Sequence, residues 1–167
     1  MSSSRVASEI RRLGTCRVNY KGREMGYTKG GVSVKITVDI YEITVDQYGV
    51  VPLDAIDRGT TIEAVTPLAQ TSFDNYTDAF PTLATILAAD QLSSGRKIGT
   101  SLGTGRLVLD PINDTDGIVI YKAWVKDVAE LGFNNDGERI LGITWGGQID
   151  EDRAEGDRCF RIFGGMS

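Results

Sequence analysis

The clearest pattern in the chain is strict alternation. In GVSVKITVDIYEITVDQYG, Val32, Val34, Ile36, Val38 and Ile40 alternate with Ser33, Lys35, Thr37, Asp39 and Tyr41. Period two in β-branched residues predicts a strand with one dry and one wet face. The run is longer than a usual strand, and its parity becomes ambiguous between Asp39 and Glu42, where a bend or break is expected. Further strands are expected at 15–20, 60–68, 106–109, 117–125, 139–149 and 158–163. One helical stretch stands out. Ser72 or Asp74 offers a cap for a segment through Tyr76 toward Phe80, Pro81 suits a first helical position, and Leu83, Ile86 and Leu87 form a short apolar stripe. The glycines and hydroxyl residues of QLSSGRKIGTSLGTG predict a flexible loop at 90–105 rather than a second domain. The expectation is a mainly β single domain over 1–167, a sandwich or barrel with one short flanking helix, long loops and a basic arm at 1–14.

Composition narrows the chemistry. The 167 residues weigh 18.1 kDa and include no histidine. Histidine-based nucleophile systems, a histidine general base and a histidine-containing zinc site are thereby excluded. The two cysteines, Cys16 and Cys159, lie near opposite ends without a CxxC spacing, and are expected as small apolar residues packed in terminal strands. A length of this order buries roughly 70% of the unfolded chain's surface, so neither disulfides nor metal are needed for a core. No apolar run approaches the ~20 residues of a membrane span, and MSSSRVASEIRRLG lacks a signal-type apolar stretch. The expected product is soluble, made in the cytoplasm, and not inserted in a membrane. Charge is unevenly spread: residues 1–35 hold eight basic and two acidic residues (+6), the remainder ten and twenty-one (−11). A basic arm on an acidic body suits an external polyanion or the acidic surface of an identical copy.

Candidate sites mostly dissolve on inspection. GTSLGTGRL has neither a GK[ST] ending nor the third glycine of GxGxxG, so it reads as a surface arm rather than a phosphate cradle. With Gly117 as the glycine of a calcium loop, DPINDTDG would place Ile112 and Ala123 where carboxylates are required; a turn is expected. FNNDGERI reads as another turn. Asp150, Glu151 and Asp152, followed by Glu155 and Asp157, are dense enough for paired-carboxylate chemistry, but nothing nearby would desolvate one member; a solvated or partner-facing acidic patch is expected. Trp124 and Trp145 read as core or interface anchors. The basic arm has only Tyr20 and Tyr27 beside it, too few aromatics for a stacking surface. No cofactor and no catalytic residue are assigned.

The run GTCRVNYKGREMGYTKGGVSVKITVDIYEITVDQYGVVPLDAIDRGTTIEAVTPLAQTSFDN resembles the major tail tube proteins of long-tailed, non-contractile bacteriophages. It has their order of a short first strand, a GYTKGGV turn at Gly26 to Val32, a long strand, a VDQxG turn at Val45 to Gly49 and a strand ending in PLAQT. The likeness covers roughly residues 14 to 75; the C-terminal half agrees only in order and composition, and the glycine-rich arm departs from a fixed motif. The resemblance implies a β-sandwich with a flanking helix, related in fold to the inner tubes of contractile tails and type VI secretion systems. It implies hexameric rings stacked into a hollow tube for genome passage, in a virion, with tape measure, tail terminator and distal tail proteins as partners. It brings no catalytic residue and implies that the chain is not an enzyme.

A physical argument stands beside the resemblance. DNA carries a charge about every 1.7 Å, so a conduit lined with lysine and arginine would grip it; a neutral or acidic wall lets it pass. Screening over ~8 Å confines the effect to phosphates near the wall. The wet face of 32–46 and 60–68 is the expected lining, with Asp39 and Glu63 as acidic contributors and Thr37 and Thr61 as neutral ones. The alternative is that these are strand residues on an outer surface. Unpaired strand edges supply the means of ring closure, and heterologous ring faces can then propagate. Stacking is assigned to three segments: the basic arm with Arg5, Arg11 and Arg12; the 46–59 loop with Asp46, Asp54, Asp57 and Arg58; and the 93–105 loop with Arg96 and Lys97. The patch at Asp150, Glu151 and Asp152 is a further contact candidate. Rival readings are a tail terminator or baseplate-proximal tube homologue, a β-sandwich module for a glycan or receptor, and, furthest away, a carboxylate-dependent hydrolase.

Overall fold

In a computed structural model the described residues are 16–86, 91–94, 97–112, 116–133 and 137–164. The chain is mainly β, with one short helix among those residues. Strand β1 (Cys16–Tyr20) turns through Lys21 and Gly22, both at positive φ (53° and 79°), into β2 (Arg23–Glu24). Two consecutive left-handed residues are what a tight hairpin turn of this hand requires, and glycine supplies one at no steric cost. Strands β3 (Ser33–Ile43) and β4 (Asp54–Leu68) form a long antiparallel hairpin. After the helix α1 (Phe73–Ala79) come the short pair β5 (Ala84–Ile86) and β6 (Gln91–Ser93), then β7 (Gly105–Pro111), β8 (Gly117–Val128), β9 (Leu141–Gln148) and β10 (Phe160–Phe163).

Eight of these strands make one antiparallel sheet in the order β2-β1-β7-β8-β9-β4-β3, with β10 added to β8. Segment 25–29 stitches its two flanks together. The Met25 N–H donates to Val18 O (2.8 Å), the Lys29 N–H to Pro67 O (3.0 Å) and the Ala69 N–H to Tyr27 O (2.8 Å). One face of the sheet therefore encloses a single core, with Val18 and Tyr20 from β1, Ile62 and Leu68 from β4, Leu107 from β7, and Ile143 and Trp145 from β9 all buried. Tyr20 and Trp145 meet at 4.5 Å between ring centroids, and the indole N–H donates to the buried Thr66 hydroxyl at 2.9 Å. The expected strands are all present. The eight strands form one sheet rather than two separate layers, curled like a barrel around the core, with no pairing between β2 and β3 among the described residues.

Two expectations need correction. The helix ends at Ala79, capped at its start by Ser72, whose Oγ accepts the Asn75 N–H. Beyond Pro81 the chain is strand β5 and not a continued helix, while 87–90 lie outside the described residues. The helix is fixed by Asn75, which is fully buried. Its amide donates to Met25 O and Gln70 O (both 2.7 Å) and accepts from Arg23 (2.9 Å), and Arg23 also pairs with Asp78 at 2.5 Å. The 46–59 segment is not one loop. A 3-10 turn spans Asp46–Tyr48, and β4 already begins at Asp54. Asp57-Arg58-Gly59, the end of the expected loop, forms a β-bulge: Asp39 faces Gly59, Ile40 faces Asp57, and Arg58 is the extra residue. The Gly59 N–H donates to Asp57 Oδ1 at 2.8 Å, and Gly59 sits at φ 132°, a backbone few other residues adopt.

Candidate assembly surface

Strand β4 pairs with β9 only from Glu63 to Leu68. Below that point β3 and β4 pair, among the described residues, only with each other, so eight residue pairs, about 25 Å of ribbon, project past the body of the sheet. A two-stranded ribbon in water is at best marginal alone. This one is apolar along its core-side face and carries one apolar pair on the other. Ile36, Val38 and Ile40 continue the core-side face but are exposed, Ile40 at 55%, with no body of protein beneath them. Across the ribbon the bulge flips the parity of β4, so Ile56 lies opposite Tyr41 on the other face, and both are about half exposed. The connecting segment adds Tyr48, Val50, Val51 and Leu53, with Val50 at 93%. Contiguous exposed apolar surface of this kind marks a surface made to be covered.

The polar face of the same strands carries the predicted lining residues. Thr37 faces Thr61 directly and Lys35 faces Glu63, with Asp39 one step further along β3. The face continues over Gly146 of β9 to Trp124 of β8. There the half-buried indole lies against Gly146, where a Cβ would come within 3.0 Å of it. Trp145 is thus the core anchor of the two tryptophans, while Trp124 belongs to the polar face.

Charge on this face is paired within the chain. Glu63 accepts from Lys126, and this hydrogen bond, then the ammonium charge, then that of Lys35, holds its carboxyl below the usual range. Arg58 Nε lies 3.6 Å from Asp39 Oδ2, and Lys122 lies 3.2 Å from Asp150. Four cations, Lys35, Arg58, Lys122 and Lys126, thus share three carboxylates, Asp39, Glu63 and Asp150, so the face is close to charge balance rather than acidic.

Strands β9 and β10 flank β8 on one side, in line, and residues 149–159 leave and rejoin that line. The excursion is closed at its base by the Asp150 N–H to Arg158 O bond (2.8 Å). Asp157 pins its interior: it accepts from Tyr121 Oη (2.7 Å), Arg153 (2.9 Å) and Arg161, and these bonds hold its carboxyl far below the usual range. Arg153 also stacks over the Tyr121 ring, 3.6 Å from its centroid. The acidic run, expected as a solvated or partner-facing patch, lies on a clamped protrusion, with Glu151 and Asp152 exposed at a turn.

Of the other sequence candidates, Asp46, Asp54, Asp57 and Lys97 are exposed; Arg5, Arg11, Arg12 and Arg96 lie outside the described residues. Cys16 and Cys159 are free thiols, half-buried against the core. Burial first, and the Asp110 charge second, push the Cys16 thiol up to about 11. No group of three potential metal ligands occurs among the described residues, and none of their helices is long and apolar enough to cross a membrane. What sequence reading missed is the projecting ribbon, because the bulge at Asp57 to Gly59 hides the first part of β4. Compared with known proteins, the chain matches no family model and no curated protein.

Proposed function

We propose that this chain is a structural subunit that assembles with copies of itself into a hollow tube, of the kind its resemblance to siphophage tail tube proteins implies, in a virion whose DNA passes through the bore. The observation that carries this reading is the β3–β4 ribbon, whose core-side face exposes Ile36, Val38 and Ile40 without support from its own domain. Such an element is stable only when neighbours cover it, and an identical copy brings both the apolar surface and the free β3 edge needed for strand pairing. Ribbons from successive copies, joined edge to edge, form a continuous sheet with one apolar side against the subunit bodies and one polar side, bearing Thr37, Thr61 and the paired charges, toward the bore. Ring stacking falls to the segment around Asp46 to Leu53 and to the clamped protrusion at 149–159, both at ends of strands. No catalytic step belongs to this role. Negative-stain microscopy of the purified protein tests it. Long uniform tubes are expected, a single closed ring would favour a terminator-type role, and particles that stay dispersed at every concentration would end the proposal.

A further inference from the structure

We propose that Glu63 and Asp39 serve as intramolecular masks: each holds a cation of its own face, Lys126 and Arg58 respectively, so that fewer lysines and arginines on the polar side of the sheet are free to grip a passing polyanion. The role in DNA passage rests on the tube reading above; the masking itself rests on side-chain geometry.

A wall can avoid gripping DNA in two ways. Unpaired carboxylates repel phosphate, or each cation is neutralised in place. The second arrangement is the one present. Glu63 accepts from Lys126 and faces Lys35 across the β3–β4 pair, so one carboxylate stands between two ammonium groups. Asp39 holds Arg58, the extra residue of the bulge, at 3.6 Å. Lys122 has Asp150 at 3.2 Å. No carboxylate of this group is left over for repulsion. The cations are not accidental leftovers of an exposed strand either, because Lys126 and Arg58 are both extra residues at register shifts, the places where a strand re-aims a side chain. Non-specific affinity for DNA grows with the number of cations free to displace counterions, so each mask removed should add one such cation to the face. Exposed ion pairs contribute little to folding, which separates the effect on polyanion binding from the effect on stability.

The test uses the full chain, kept dispersed at low concentration, and the anisotropy of a fluorescently labelled DNA duplex at low and physiological salt. The Asp39→Asn, Glu63→Gln double variant should bind at least about tenfold more tightly than wild type, with a salt dependence steeper by about two to three, near 0.9 per freed cation. Adding Lys126→Gln to Glu63→Gln should remove about one unit of that slope, whereas Lys126→Gln in the wild-type background should change little. Binding of the double variant equal to wild type overturns the proposal, as does an equal loss from Lys126→Gln in both backgrounds. Should Glu63→Gln fail to fold, Asp39→Asn alone reads the Arg58 mask. Microscopy of the same proteins separates the two ideas: dispersed particles with the expected binding change remove the tube and keep the masks, and tubes with unchanged binding do the reverse.

Discussion

At the scale of single residues, the polar contact that matters most to the interior is that between Trp145 and Thr66. Both side chains are fully buried, and the indole N–H has the Thr66 hydroxyl as its partner at 2.9 Å. A buried donor stripped of its partner costs about 1–3 kcal/mol, more than the net value of the bond itself. Thr66→Val keeps the shape and β-branching of the side chain but removes the acceptor, and is expected to destabilise by that amount in urea denaturation. An unchanged midpoint would mean that the indole finds another acceptor. The sequence marks Trp145 as an anchor but gives no hint of Thr66, because nothing in T-P-L distinguishes a buried threonine from an exposed strand residue. Asp157 was equally hidden: it sits in a polar run, and only the fold brings Tyr121, Arg153 and Arg161 around it.

At the scale of elements, alternation made β3 readable from Val32 onward, while the Val45 to Gly49 turn came from the resemblance. Its partner was half legible. The stretch from Thr60 to Leu68 keeps period two, but upstream the extra residue Arg58 shifts the parity, so Ile56 and Ile62 share even numbers and lie on opposite faces. Pattern reading takes such a break as the end of a strand. The β5–β6 pair was lost for a different reason: Leu83 and Ile86 have helical spacing, yet Pro81 disfavours αR for the residue before it and Thr85 and Ile86 are β-branched. The ribbon contributes nothing to the core below Ile62. Shortening it by joining Val38 to Thr60 through Asn-Gly therefore leaves the barrel intact. The expected result is a thermal midpoint within a few degrees of the full chain together with complete loss of assembly by light scattering; retained assembly would show that other surfaces suffice.

At the scale of the whole molecule, the body and the ribbon have different claims to stability. The body closes through the 25–29 stitch and buries its apolar residues within one chain, so its order is independent of concentration. The ribbon has only its own cross-strand bonds, with Val38, Ile40, Tyr41 and Ile56 exposed about them. Elements with few buried contacts and solvent-exposed hydrogen bonds open at low free energy, whereas association stabilises whatever it covers by mass action. Amide exchange should therefore split the chain in two. In dilute protein, amides of 36–43 and 54–60 should exchange far faster than those of 107–109, 118–125 and 141–146. On assembly the ribbon amides should slow by at least about a hundredfold while the body changes little. The amides of β3 that point away from β4 are the sharpest reporters, since only pairing with another copy can give them an acceptor. Full protection of the ribbon in dilute protein would mean that the domain supports it unaided, and its exposed apolar residues would then call for no second copy.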